Sequence, residues 1–219
     1  MIGLLVGILM LTGCSIKRIT NELDTVVDGT IVSNNDYVNT VSMGYELYIP
    51  TGVSQIKDNE YNQKFKIRNR YVYLYVDTVS YYYKNMLNYK NEMDYNYYYR
   101  EVSLDGKTGY VGVNRTVSGD YFCELVYNYA KIEFYSDYDD LPVIMANSLI
   151  ILNSIKFNDN LIEMKLEDNV GNGKELKYEL DKPEDTESTF SKYLQEYVAT
   201  DEDVSSEELP EDNYYKEVQ

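Results

Sequence analysis

The chain has 219 residues, 37 of them Asp or Glu against 20 Lys or Arg, and so carries a formal charge of −17. It contains no histidine, which excludes Ser-His-Asp and Cys-His nucleophilic sites and His-based zinc sites. Neither GxGxxG nor GxxxxGKS/T occurs, so no phosphate-cradling loop is signalled, and the acidic excess argues against a nucleic-acid partner.

Residues 2–12 form an apolar run of eleven residues. As a helix of 1.5 Å per residue this run reaches about 16 Å, against about 30 Å of hydrocarbon, so it is too short to span a bilayer but suits the core of a secretory signal. Only Met1 precedes it, where such signals usually carry a basic residue. It ends in Leu11-Thr12-Gly13-Cys14, which resembles the lipobox of bacterial lipoproteins. The resemblance implies a signal peptide over 1–13, acylation of Cys14 and anchorage on the extracytoplasmic face of the cell membrane. Two or three acyl chains, each worth roughly 0.8 kcal/mol per buried CH₂, hold a protein on a membrane for good. Residues 14–36 then read as the lipidated Cys and a polar tether, with Lys17 and Arg18 close to lipid head groups. With Cys14 acylated, Cys123 has no partner for an intrachain disulfide. In the alternating stretch Tyr121-Phe122-Cys123-Glu124-Leu125 its thiol is read as buried and inert.

The core domain is placed at 37–158. Residues 45–49 are a short strand closed by Pro50-Thr51-Gly52, and 64–68 and 71–79 are two more, joined at Asn69-Arg70. In the latter Tyr71, Tyr73 and Tyr75 share one face while Val72, Leu74 and Val76 share the other, so both faces are expected to be covered. The period then changes: Val79, Tyr82, Tyr83, Met86, Leu87 and Lys90 predict a helix over 79–93. Strands resume at 97–104, turn at Asp105-Gly106, and continue through 108–117. Ser118-Gly119 leads into one long strand over 121–134 with a bulge near Ala130. Asp139 or Asp140 caps a helix with Pro142 in its first turn, which carries Leu141, Ile144, Met145, Leu149 and Leu152 and leads into a short strand, Ser154-Ile155-Lys156-Phe157.

An opening Gly44-Tyr45-Glu46-Leu47-Tyr48-Ile49-Pro50, a middle helix, a meander and a late helix running into Ser154-Ile155-Lys156-Phe157 together resemble the PsbP-like, DcrB-like sandwich of bacterial envelope lipoproteins. The likeness covers about residues 40–158. It implies an α+β fold, an antiparallel β-sheet with helices packed on both faces, and an accessory or binding role rather than one activity.

Residues 159–219 hold 19 acidic residues against 6 Lys. Within 159–199 an appendage is expected. Ile162, Met164 and Leu166 alternate, as do Leu176, Tyr178 and Leu180 around Gly171-Asn172-Gly173, which predicts a hairpin with one apolar face. After Pro183 and Glu184, Phe190, Tyr193, Leu194, Tyr197 and Val198 recur at helical spacing. This amphipathic helix either folds back on its own domain or docks a partner protein, with those five residues as the anchors. Residues 200–219, with eight acidic residues and one Lys, read as a disordered acidic tail. Neither Asp201-Glu202-Asp203 nor the stretch 137–140 has the spacing of a calcium loop, so no metal and no cofactor is expected.

Function follows from what is missing as much as from what is present. The leading expectation is a non-catalytic lipoprotein, anchored in the membrane, that serves as a binding or accessory module for an envelope protein. An alternative is binding of cell-wall glycan or a small ligand through exposed tyrosines, with 81–83 and 97–99 as clusters. A hydrolase built on paired carboxylates is the least favoured reading, since among 37 acidic residues some pair always looks suitable. The 26 tyrosines themselves, with no Trp, carry little meaning, because Tyr, Asn, Ile and Lys share AT-rich codons.

Overall fold

Alternating apolar residues in the middle of the chain build a seven-stranded antiparallel sheet, seen here in a computed structural model that describes residues 22–32, 37–59, 61–84, 94–172 and 183. In chain order the elements are α1 (22–32), β1 (Thr40–Ser42), β2 (Tyr45–Leu47), β3 (Val53–Asn59), β4 (Asn62–Ile67), β5 (Arg70–Val76) and α2 (Thr78–Tyr82). There follow β6 (Tyr98–Leu104), β7 (Lys107–Arg115), β8 (Tyr121–Tyr127), β9 (Ala130–Ser136), α3 (Leu141–Ser154), β10 (Lys156–Phe157) and α4 (Asp159–Asn172). The large sheet has the order β3-β4-β5-β9-β8-β7-β6, and a small one has the order β1-β2-β10. Two meanders, β3–β5 and β6–β9, thus meet where β9 pairs with β5. The α+β class and the antiparallel sheet are as the sequence predicts.

Strand alternation divides the sheet into two unlike faces. Phe65, Val72, Leu74, Val111, Val113, Cys123, Leu125, Ile132 and Phe134 are buried together on the first. They meet Leu141, Ile144, Met145, Leu149 and Leu152 of α3, and Tyr45 and Leu47 of the small sheet. Ser154 Oγ ties the last two layers together, accepting from the backbone N–H of Tyr48 at 2.8 Å and donating to the carbonyl of Ile151 at 2.7 Å. Among the described residues, α1 and α3 share this apolar core.

Several local expectations are corrected. The polar tether over 14–36 contains α1, whose Leu23, Val27 and Ile31 are buried in the core, so the folded unit begins ahead of residue 37. Arg100 of β6 holds that helix by pairing with Asp24 at 3.2 Å and with Asp28. The 121–134 strand is two strands. Asn128 and Tyr129, at φ 50° and 63°, close a tight hairpin between β8 and β9 in the left-handed geometry such turns need. The first arm of the expected C-terminal hairpin is helical: α4 buries Ile162 while Met164 points to solvent, and Asn158 Oδ1 caps it by accepting from the N–H of Leu161 at 3.2 Å. Asp140 stands at the N-cap of α3 but spends its carboxylate on Arg68 at 2.6 Å instead of on the helix. The middle helix is described as α2 only; residues 85–93 of that prediction lie outside the described residues, as do 173–182, 184–199 and the acidic tail.

Candidate functional site

The second face of the sheet is polar at its centre. One file of paired residues crosses it as Lys64, Tyr73, Glu133, Glu124, Gly112 and Tyr99. Glu124 and Glu133 are therefore directly opposite each other, an arrangement that repels. Lys131, two residues before Glu133 on the same face, resolves it. Its ammonium lies 2.5 Å from Glu133 Oε1 and 3.6 Å from Glu124 Oε2. It also stands 4.9 Å above the ring of Tyr75. Glu124 Oε1 accepts from the hydroxyls of Tyr95 at 2.7 Å and Tyr110 at 2.5 Å. Burial, followed by the Glu124 charge, pushes both phenols well above their ordinary range, so they remain donors at any physiological pH. Gly112 is what admits Tyr95: a Cβ there would fall 2.2 Å from the tyrosine ring.

All three ions of this cluster have 0% exposure. A carboxylate pair that hydrolyses a glycosidic bond must flank the substrate. These two are sealed from solvent and bound to their own lysine and tyrosines, so the cluster as it stands joins β8 to β9 instead of facing a ligand.

A second assembly is open to solvent. Where α2, β10 and the start of α4 meet, a cleft of about 320 Å³ is lined by Glu46, Lys156, Asn158, Asp159 and Asn160, with Tyr81 and Phe157. Tyr81 stacks on Phe157 at 3.8 Å between centroids and 11° between planes, and Lys84 lies over the tyrosine ring at 3.7 Å. Burial and then the hydrogen bond to Asp159 raise the Tyr81 hydroxyl above its ordinary value. The short α2 starts at Asp77, which accepts from the N–H of Ser80 at 2.8 Å, and this cap fixes Tyr81 one turn later. The cleft thus offers charges of both signs and four amide or carboxylate side chains around one aromatic pair. Such a lining orients a polar ligand by hydrogen bonds.

The sequence-predicted site residues divide between the described and undescribed parts of the chain. Cys14 and the anchors Phe190, Tyr193, Leu194, Tyr197 and Val198 lie outside the described residues. Cys123 is buried on the apolar face, and burial pushes its thiol well above the ordinary value, which makes it inert. Of the tyrosine clusters, Tyr97 packs against Tyr121 at 4.7 Å and Tyr98 donates to Asp24 at 2.8 Å. Tyr99 stacks on Tyr95, and Tyr81 alone of its cluster lines the cleft. The Glu124–Lys131–Glu133 cluster escaped the sequence reading. Its signal, Lys and Glu on one face of an otherwise apolar strand, was hidden by taking 121–134 as a single run. Among the described residues no three Asp, Glu or Cys side chains converge as a metal site, and no helix is long and apolar enough to cross a membrane.

No protein-family model matches the chain, and neither does any curated protein. Among solved structures, a crystal structure of a protein from Bacteroides thetaiotaomicron is similar over 57% of this chain, with a TM-score of 0.35 and 9% identity. The likeness spans 49% of that chain, about half its length, and is too distant to carry an argument about fold or function.

Proposed function

We propose that this protein is a non-catalytic binding module, held by lipid on Cys14 at the extracytoplasmic face of a cell membrane, whose polar cleft between α2, β10 and α4 receives a small polar ligand or the end of a glycan. The observation that carries the reading is a contrast in exposure. The buried ionisable groups Glu124, Lys131 and Glu133 are sealed from solvent, whereas the open cleft carries recognition groups around Tyr81 and Phe157. The lipobox-like Leu11-Thr12-Gly13-Cys14 supports the anchor.

The full chain with Cys14→Ser, purified without lipid, tests the binding half by co-sedimentation with isolated cell envelopes. Binding by this chain, and its loss in an added Asn160→Trp substitution that fills the cleft from an exposed position, is the expected result. Sedimentation unchanged by Asn160→Trp would remove the cleft from the account, and no sedimentation at all would remove the envelope as the source of ligand.

A further inference from the structure

The lysines of this chain are not evenly spread. Lys57, Lys64 and Lys66 fall on one side of β3 and β4, on the polar face of the sheet. Lys64 and Lys66 alternate with the buried Phe65 and Ile67, so both point away from the core. Lys57 is directly opposite Lys64, and that register exists because of a bulge between Gln55 and Lys57 which carries Ile56. Bulges re-aim side chains. This one sets a second ammonium against the first, although like charges directly opposite repel.

Tyrosines continue the same surface. Tyr71 pairs with Lys66 and Tyr73 with Lys64 across the next strand. The Lys64 ammonium lies 4.2 Å from the Tyr71 ring centroid and 5.0 Å from that of Tyr73. Tyr71 is 48% exposed. Among the described residues of β3 to β5 that share this face, none is acidic. Glu133, next in line, is sealed against Lys131. In a chain of −17, three lysines gathered on one face beside the exposed Tyr71 ring are complementary to an anion. The rings add what a bare anion does not need, a flat apolar surface for the C–H face of a sugar.

We infer that the Lys57, Lys64, Lys66, Tyr71 and Tyr73 face binds an anionic glycan, a sugar chain bearing phosphate, sulfate or carboxylate groups. The inference deepens the binding-module reading and rests on it, but it uses a surface separate from the cleft. Lys64 above the two rings would shift to the anion, leaving the rings to the sugar. A membrane surface is the less suitable partner, because the aromatic rings lie in a strand face capped by Lys64 and offer no wedge to enter lipid.

Dextran sulfate is the probe, with neutral dextran, polyphosphate and phosphatidylglycerol vesicles as comparisons, all against the full Cys14→Ser chain. Each lysine near an anionic surface is worth about fivefold in affinity, so replacing all three by Gln is expected to weaken dextran sulfate about a hundredfold at low salt. A variant with the same net charge as that triple variant, Lys107→Gln with Lys165→Gln and Lys216→Gln, should bind as the parent does. Tyr71→Ala, a change at an exposed site, should weaken dextran sulfate and leave polyphosphate unchanged, and neutral dextran should not bind. Equal affinity for the triple and charge-matched variants would overturn the inference, as would vesicle binding without dextran sulfate binding. It would also fall if the triple variant aggregates at unchanged affinity, since the lysines would then only guard the open edge of β3. Loss of dextran sulfate binding alone, with envelope sedimentation still dependent on Asn160, would leave the cleft and its module intact.

Discussion

Lys131 stands between two opposed carboxylates in a space closed to solvent. Removing one partner of a buried ionic group costs about 3–5 kcal/mol, since the remaining charge is left unmatched. Lys131→Met is therefore expected to lower the stability of the chain by about that amount, read as a shift of the urea midpoint at pH 7. A loss below about 1 kcal/mol would mean that the cluster is not closed as described. Gly112→Ala drives a methyl into the Tyr95 ring and should cost about 1–3 kcal/mol, with loss of the Tyr95–Glu124 bond. Asp77 tests the sign of a pH effect. Burial holds its carboxyl above the ordinary value, more than its bonds to Ser80 lower it. A group raised in the folded chain loses stability as pH rises through its folded value. Asp77→Asn keeps the acceptor and drops the charge, so its unfolding midpoint should exceed the parent's at pH 7. The difference should vanish by about pH 3, where Asp77 is protonated in both states.

At the scale of elements, α1 separates a tether from a folded start. Leu23, Val27 and Ile31 recur every four residues and all lie in the core. Val27→Asp should therefore abolish cooperative unfolding, measured by the near-ultraviolet signal of the tyrosines, whereas a tether would tolerate it. Asn158→Ala removes the cap of α4 and should cost about 1 kcal/mol without disturbing the sheet. These two helices also show where the sequence was hard to read. Strands β5 to β8 were legible because period-two alternation and Asp105-Gly106 agree. The Ile162, Met164 and Leu166 run satisfied the same rule by chance, while Ile162 and Leu166 also stand one helical turn apart. Asn158, a cap four residues ahead of Ile162, was the signal that separates them. The turn at Asn128-Tyr129 lacks glycine, and Tyr129 adopts its positive φ while packing edge-on to Tyr81. β3 is so polar and exposed that only its pairing with β4 reveals it as a strand.

The whole molecule is electrically lopsided. Residues 159–219 carry −13 of the −17, so the part that builds the sheet is close to neutral. Removing 200–219 changes the formal charge from −17 to −10. That truncation should strengthen association with dextran sulfate at low ionic strength and have little effect near 1 M salt, where the Debye length is about 3 Å. The fold class was legible because elements of the right type follow in the right order. The site was not, since Glu46, Tyr81 and Asn158 are distant in sequence and meet only when β10 pairs with β2.

The proposed anchorage on the outer face of a membrane would give the cleft and the lysine face their setting, and it can be read directly. Mass spectrometry of the amino-terminal peptide, from protein made in a bacterium with its lipoprotein pathway intact and recovered from membranes, is the decisive measurement. The account predicts that the mature chain begins at Cys14 and carries a diacylglyceryl group on its sulfur. A chain that retains residues 1–13 with a free Cys14 thiol would contradict it.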